Sequence, residues 1–232
     1  MSHCSWLPWQ RRSAVEKGGP LTLGSPGRAG WIELTGRRVL LRPLTVSDFE
    51  AWREVRIRAR DWLVKWEPRP LAGQPDATAD RRVFAARCGA RERERQLGNG
   101  YGFGIFAGPR MQRFVGEINL SSVQRGPYQN AYVGYWIDEA AAGNSYTPEA
   151  FVVLCRYAFE DLALHRLQAS IIPRNAPSNR VAEKLGLRNE GTARRYLEIN
   201  GVWEDHIRYA ITSEDWAERR DQYLRDWILP SG

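Results

Sequence analysis

The chain of 232 residues is 43% hydrophobic and 26% charged, which is enough apolar material for a folded core and excludes a mostly disordered chain. No apolar run approaches the roughly 18–20 residues of a membrane span, and the first ten residues lack the apolar segment of a signal peptide. The three cysteines (Cys4, Cys88 and Cys155) match neither a disulfide framework nor a zinc site, so we expect a soluble, cytoplasmic protein without a metal.

The formal charge of +7 is concentrated in the first part of the chain. Residues 1–100 contain 19 Lys and Arg against 11 Asp and Glu, a balance of +8, whereas residues 101–232 contain 15 against 16, a balance of −1. All the basic residues except Lys17, Lys65 and Lys184 are arginines. This pattern is typical either of a compositional bias toward arginine or of a basic surface that contacts RNA or an acidic partner.

The first residues are predicted to be a flexible extension of the folded domain. Residues 1–30 are rich in Gly, Pro and Ser and show no sustained hydrophobic period. The folded domain is predicted to cover residues 31–232, with its first strands at Ile32–Leu34 and Val39–Arg42 on either side of a turn at Gly36.

Two helices are predicted before residue 100. Ser47 and Glu50 fit a capping box, in which each side chain satisfies an amide that the start of a helix leaves free. A long charged helix is predicted over Ala77–Leu97, and it ends at Gly98-Asn-Gly100. Its arginines and glutamates alternate, which is typical of a solvated helix face.

From Tyr101 onward, strands and helices alternate, which predicts a mixed α/β domain. A three-stranded meander is followed by a helix with a buried apolar stripe, a single strand and a short helix. Asn200-Gly201 is typical of a tight hairpin, because both turn positions favour a positive φ, and a last helix follows Thr212. The predicted ranges are Tyr101–Ala107, Phe114–Val123 and Ala131–Ile137 for the meander, Thr147–Leu162 and Ala176–Leu185 for the helices, and Arg166–Ile172 for the single strand.

Two segments have the residue types of a binding site. A strand ending at Ile137 leads through a loop of small residues into a helix at Thr147, an arrangement that aims free backbone amides at an anion. Asn175 and Ser178 lie at the start of the next helix, where such side chains also serve as simple helix caps. Taken alone, each segment is equally consistent with an ordinary connection between two elements.

Five short motifs follow one another along the chain. They are Trp66-Glu-Pro68, Gly116–Val123 with Arg125-Gly126, Val133-Gly-Tyr-Trp-Ile137, Asn175-x-x-Ser178 with Leu185-Gly186, and Tyr196-Leu-x-Ile-Asn-Gly-x-Trp-x-Asp-His206. In this order and spacing they resemble the GNAT superfamily of N-acetyltransferases, and within it the RimJ/RimL type that acts on ribosomal proteins. The resemblance covers about residues 31–228, and the last motif is most similar to the alanine-specific RimJ branch.

This resemblance implies the GNAT fold, a single domain with a splayed, mixed, seven-stranded sheet and acetyl-CoA between the fourth and fifth strands. The fourth strand would be Ala131–Ile137, whose exposed backbone pairs with the pantetheine arm, and the loop that follows would hold the pyrophosphate. Ser178 would lie close to the thioester sulfur and donate a proton to the departing thiolate. The implied cofactor-binding residues are Tyr135, Trp136, Ile137, Gly143, Asn144, Ser145, Tyr146, Thr147 and Asn175.

The chain departs from the family pattern at three positions. Ala142 replaces the usual arginine or glutamine of the phosphate loop, and Ser145 replaces its central glycine. Backbone amides can bind a phosphate without those side chains. For the loop to keep its shape, however, Ser145 must adopt the backbone conformation that the glycine has in relatives. Ala182 stands where many relatives have a catalytic tyrosine, which leaves Ser178 as the nearest hydroxyl.

The pKa of the acceptor amine determines how strong a general base the reaction requires. An α-amino group with a pKa of about 7.7–8.0 is partly neutral at pH 7, whereas a lysine with a pKa near 10.4 is almost fully charged. A protein N-terminus therefore requires only a modest general base. Glu117 is the predicted base, and Glu198 and the His206–Asp205 pair are open alternatives. The predicted acceptor-binding residues are Trp66, Glu67, Asn119 and Glu198, of which Glu67 could pair with the α-ammonium group before it loses its proton.

The leading hypothesis is an acetyl-CoA-dependent enzyme that acetylates the N-terminal α-amine of a protein. The expected acceptor is the alanine of a small-subunit ribosomal protein, with the basic first half of the chain contacting the ribosome or its RNA. One alternative is an acetyltransferase for a small amine, such as an antibiotic or a polyamine, which a closed acidic pocket would favour. The other is a non-catalytic ribosome-assembly or RNA-binding module that retains the fold.

Overall fold

A mixed β-sheet forms the centre of the molecule. The computed structural model describes residues 32–230, so the predicted extension over residues 1–30 lies outside the described residues. The strands are β1 Leu34–Thr35, β2 Val39–Arg42, β3 Tyr101–Ala107, β4 Arg113–Gln124, β5 Asn130–Ile137, β6 Arg166–Ile171, β7 Arg188–Ile199 and β8 Val202–Thr212. Their order is β1-β2-β3-β4-β5-β6-β8-β7, and all neighbours are antiparallel except β5 and β6, which are parallel. The expected mixed α/β fold is confirmed.

The expected number of seven strands is wrong by one, because the described residues form an eight-stranded sheet. The strand beyond the seven that the resemblance implies is the two-residue β1, which overlaps the strand predicted at Ile32–Leu34. Its residues Leu34 and Thr35 pair with Leu41 and Leu40 of β2. Leu34 and Leu41 are both buried, so apolar packing supports this short pairing. The fourth and fifth strands of the resemblance therefore correspond to β5 and β6, which are parallel.

Helices cover both faces of the sheet. They are α1 Phe49–Arg58, α2 Arg60–Leu63, α3 Arg81–Gln96, α4 Tyr146–Arg156, α5 Ala176–Lys184 and α6 Ser213–Tyr223. None of the helices formed by residues 32–230 is long and apolar enough to cross a membrane.

The described residues bury two hydrophobic clusters on opposite faces of the sheet. Phe114 and Val115 are consecutive in β4 and belong to different clusters, because successive side chains of a strand point to opposite faces. The larger cluster includes α4, in which every residue from Thr147 to Cys155 is buried. The smaller cluster joins α1 and α3 to β3 and β4, and consists of Phe49, Trp52, Val55, Phe84, Phe106 and Phe114.

The predicted capping box of α1 is wrong by two residues. The chain makes a 3₁₀ turn over Val46–Asp48 before α1, so Thr45 is the capping residue and Asp48 takes the place of Glu50. The backbone N–H of Thr45 donates to Asp48 Oδ2 at 2.8 Å, and the guanidinium of Arg42 holds both carboxylate oxygens. Burial opposes ionisation of Asp48, but these hydrogen bonds keep its pKa below the usual value.

β5 and β6 diverge along their length. They pair only where Asn130–Tyr132 lies beside Arg166–Gln168. Beyond Tyr132, β5 stays paired with β4 as far as Ile137, while β6 stays paired with β8. A notch therefore opens beside the last residues of β5, and the starts of α4 and α5 line the same opening.

Candidate active site

The notch widens into a cleft of about 990 Å³. One wall consists of the end of β5, the loop that follows it, the start of α4 and one side of α5. The opposite wall consists of α1, α2, the segment after α2, and side chains from α3 and β4. The cleft thus runs from the α4 N-terminus to a region walled by tryptophans and arginines.

The loop before α4 presents backbone N–H groups to one end of the cleft. Gly143 has a φ of +80°, and Ser145 has a φ of 60° and a ψ of 19°, the left-handed conformation expected where relatives have glycine. Left-handed residues turn neighbouring amides toward one side, and the first amides of α4 have no partner within the helix. Lys184 donates to Ser145 Oγ at 2.9 Å, and Arg180 lies one turn earlier on α5. This end is therefore suited to a ligand that carries phosphates.

Tyr135 joins β5 to the two helices beside the notch. Its hydroxyl donates to the backbone oxygen of Ser178 at 3.4 Å, and its ring packs edge-on against Phe151 of α4. Burial raises the pKa of the Tyr135 phenol well above its usual value, so the group stays protonated. Trp136 points to the opposite face, where the Arg56 guanidinium lies 5.0 Å from the ring centroid.

Asn175 caps α5, and the Ser178 hydroxyl is not part of that cap. Asn175 Oδ1 accepts a hydrogen bond from the backbone N–H of Ser178 at 3.3 Å. None of residues 32–230 forms a hydrogen bond with the Ser178 hydroxyl, which belongs to a partly buried residue of the cleft wall. The hydroxyl is thus placed where a ligand could receive its proton.

The two carboxylates that line the cleft are both paired with arginines. Glu117 Oε1 accepts from Trp52 Nε1 at 2.7 Å, and its Oε2 accepts from Arg87. Both oxygens of Glu67 accept from Arg56, at 2.5 and 2.8 Å. Each carboxylate would have to share or open its ion pair in order to bind an ammonium group or accept a proton.

Asn119 of β4 lines the cleft, and its side chain contacts the backbone of β5. Its Oδ1 accepts from the backbone N–H of Gly134 at 3.1 Å. A Cβ on Gly134 would lie 2.9 Å from that oxygen, so the glycine permits this close contact. Asn119 and Gly134 are directly paired across β4 and β5, which explains why the side chain meets the backbone there.

The structure brings most of the predicted site residues together, and their roles stay predictions. Ser178 and Glu117 line the cleft, as do the acceptor-side residues Trp66, Glu67 and Asn119. Eight of the nine predicted cofactor residues line it as well, and the exception is Asn144, whose amide donates to its own loop at Ala141 and Ala142.

The hairpin carboxylate and histidine lie elsewhere. Glu198 is exposed and outside the cleft lining, while its neighbour Ile199 is buried, because alternate residues of β7 face opposite sides. His206 is buried beside the Glu204 carbonyl, and Asp205 accepts instead from the Arg195 N–H, so the two do not form a pair.

Sequence reasoning missed the cations that line the cleft. Arg180 and Lys184 are four residues apart, so they share one side of α5, and this spacing was the available signal. Arg56 and Arg87 gave no comparable signal, because their carboxylate partners lie 11 and 30 residues away in the chain.

Comparison with known proteins agrees with this geometry. Residues 38–188 match the family model described as "Acetyltransferase (GNAT) domain". The chain is 35% identical over 182 residues to Probable N-acetyltransferase YjcK of Bacillus subtilis, covering 78% of this chain and 98% of that protein. It is 32% identical over 191 residues to the ribosomal protein uS5-alanine N-acetyltransferase of Escherichia coli, and the match covers 82% of this chain and 95% of that protein. Mycobacterium smegmatis RimJ, solved in complex with CoA-disulfide, superimposes with a TM-score of 0.73 at 29% identity, covering 84% of this chain and 92% of that chain.

Proposed function

Because the chain belongs to the GNAT acetyltransferase family, we propose that it acetylates the N-terminal α-amine of a protein, with acetyl-CoA as donor. The proposed acceptor is the N-terminal alanine of a small-subunit ribosomal protein, and the proposed compartment is the cytoplasm. The similarity to a uS5-alanine N-acetyltransferase and to a RimJ structure supports this choice of acceptor. The observation that carries the proposal is the notch between β5 and β6, which ends at the left-handed loop before α4.

The residues of the notch fit acetyl-CoA. The amides around Gly143 and Ser145, together with Arg180 and Lys184, would bind the pyrophosphate. The edge of β5 beyond Tyr132, which has no strand partner toward β6, would pair with the amides of the pantetheine arm. When bound, acetyl-CoA supplies an acetyl group activated as a thioester.

Two groups of the chain would act on the reacting thioester. A backbone N–H at the end of β5 would polarise its carbonyl and stabilise the oxyanion that forms on attack. Ser178, at the start of α5, would give its proton to the departing thiolate. The partly buried Tyr135 would fix the position of Ser178 through the backbone oxygen that its hydroxyl contacts.

The acceptor side would position an amine that is already partly neutral. An N-terminal α-amine near pKa 7.7–8.0 requires little help, which suits a cleft whose carboxylates are paired. Glu117 would accept the proton through water while Arg87 holds it in place. Asn119 and Trp66 would form the wall against which the acceptor backbone lies.

The same ion pairs argue against a polyamine or another polycation as the substrate. A site for such a compound requires unpaired carboxylates, and among the described residues of the cleft Glu67 and Glu117 are both neutralised by arginines. The acidic pocket that would favour a polyamine is therefore lacking in the part of the cleft that the structure describes.

Intact-mass spectrometry tests the proposal. Small-subunit ribosomal proteins from a strain that lacks the gene are incubated with the enzyme and acetyl-CoA, and the expected result is one added acetyl group on one protein. A thermal scan with acetyl-CoA at a hundredfold excess over Kd should show stabilisation of about 2.7 kcal/mol. Binding without any transfer would favour the non-catalytic alternative, and no binding would contradict an acetyl-CoA enzyme.

A further inference from the structure

Among the described residues that line the end of the cleft away from α4, no acid is unpaired, and the carboxylate of Asp76, which lies outside that lining, accepts from Thr78. Glu67 pairs with Arg56, and Glu117 pairs with Arg87. Arg91, on the same wall, pairs with Glu94. The charges within these pairs cancel, so a cation without an ion pair at this end adds positive charge to the cleft.

Arg69 is one such cation. It is exposed, and it forms no ion pair with any of residues 32–230. Its Nη2 lies 3.5 Å from the Asn200 carbonyl oxygen, and a Cβ on Gly201, whose φ is +87°, would lie 2.0 Å from that nitrogen. The Asn200 N–H donates to the Glu67 carbonyl at 2.9 Å. The β7–β8 turn thus lies against the guanidinium without neutralising it, at the edge of the cleft formed by Trp62, Trp66 and Arg69, which we call the mouth.

Lys65 adds a second charge beside the same mouth. Its Nζ lies 5.1 Å and 5.5 Å from the ring centroids of Trp62 and Trp66, and both rings line the cleft. It too forms no ion pair within the described part of the chain. The aromatic faces orient the ammonium group and leave its charge in place.

We propose that this mouth selects acceptors that carry Asp or Glu within the first few residues after the N-terminal one, with Arg69 and Lys65 as the specificity-determining residues. The inference rests on the proposed function, since it concerns the N-terminal segment of the same acceptor. Opposite charges across an exposed contact orient the bound chain and discriminate against cationic competitors. The same positive field disfavours the protonated form of the acceptor amine, and so increases the fraction that can attack.

Three peptides test the selection with the native enzyme. All begin with alanine and share one tail, and they differ in the three residues that follow the alanine, which are all Glu, all Gln or all Arg. Release of the CoA thiol gives kcat/KM for each. We expect the Glu peptide to exceed the Gln peptide by about three- to tenfold, the range of one or two exposed ion pairs, and the Arg peptide to be the poorest. The preference should shrink at high ionic strength.

Charge-reversal variants test whether Arg69 and Lys65 cause the preference for the Glu peptide. Arg69→Glu should abolish or invert the preference, whereas Arg69→Lys, which keeps the charge, should retain it. Arg110→Glu is the matched control, because Arg110 is exposed outside the cleft lining and the change in net charge is the same. Thermal melting checks that each variant is folded. If Arg69→Glu does not fold, Lys65→Glu replaces it as the charge-reversal variant.

The outcomes separate this inference from the proposed function. Equal kcat/KM for the three peptides would overturn the selection and leave N-terminal acetylation standing. Failure to acetylate any peptide, although acetyl-CoA binds, would overturn the proposed function itself. An equal loss of preference in Arg69→Glu and Arg110→Glu would show that net charge acts, and would remove Arg69 from the specificity-determining residues.

Discussion

Replacing Ser178 with alanine separates a chemical role of the hydroxyl from a structural one. The helix cap is Asn175, whose Oδ1 receives the Ser178 backbone N–H at 3.3 Å, and alanine keeps that N–H. Since none of residues 32–230 hydrogen-bonds to the hydroxyl, Ser178→Ala should change the free energy of unfolding by less than about 0.5 kcal/mol. Asn175→Ala, in contrast, removes the cap and should cost about 1 kcal/mol.

The same substitution should slow the chemical step. General acid catalysis typically contributes about 10²–10⁴-fold, but a thiol with a pKa near 8.5 is a tolerable leaving group without help. We therefore expect a fall of about 10- to 100-fold in the single-turnover rate, with the affinity for acetyl-CoA unchanged. This size follows from the leaving group, so a poorer leaving group would increase it.

One sample of each variant provides the three measurements that decide the question. Thermal melting reports stability, a binding titration reports acetyl-CoA affinity, and rapid-quench single turnover reports the chemical step. Asn175→Ala is the control, because it should lose stability through the helix start. A stable Ser178→Ala variant with the native single-turnover rate would refute the proton-donor role.

Three further predictions concern a buried carboxylate, the loop before α4 and the N-terminal segment. Glu149→Ala should lower the free energy of unfolding by about 2–4 kcal/mol, measured in urea. Its carboxylate is 1% exposed and accepts hydrogen bonds from Arg38 and, at 3.1 Å, from the Val39 N–H. A variant as stable as the native protein would contradict this prediction. Ser145→Val should weaken acetyl-CoA binding about tenfold, because a β-branched residue resists a φ of 60°, whereas Ser145→Gly should leave the affinity unchanged. Equal affinities of the two variants would show that the loop conformation is unimportant for binding. Deleting residues 1–29 should leave the melting temperature and cofactor affinity unchanged, and a large fall in either would show that the segment packs on the domain.

Local sequence signals predicted most elements of the fold. The Asn200-Gly201 turn and the alternating strands of the meander were correctly placed, because turn chemistry and hydrophobic period act over a few residues. The α1 cap was misplaced, because Ser47 and Asp48 belong to a 3₁₀ turn whose geometry depends on how Arg42 holds Asp48. The count of seven strands came from the family resemblance, whereas the local pattern predicted a further strand at Ile32–Leu34, which β1 overlaps at Leu34.

The candidate site was predictable in its residues and less so in its electrostatics. Motif order indicated the loop before α4, and in that loop Ser145 has the left-handed backbone that glycine favours. Glu117 and Glu67 read as free carboxylates in the sequence. Their pairing with Arg87 and Arg56 depends on tertiary contacts between α3 and β4 and between α1 and the segment after α2, which no local pattern encodes.

The position of the acetyl group on one peptide shows whether the enzyme acts on an N-terminal α-amine. A peptide that begins with alanine and contains one internal lysine is incubated with enzyme and acetyl-CoA, and tandem mass spectrometry locates the acetyl group. Transfer to an N-terminal α-amine predicts that the label is found on the alanine, and that a peptide with a blocked N-terminus receives none. Acetylation of the lysine, or equal labelling of the blocked peptide, would contradict the account.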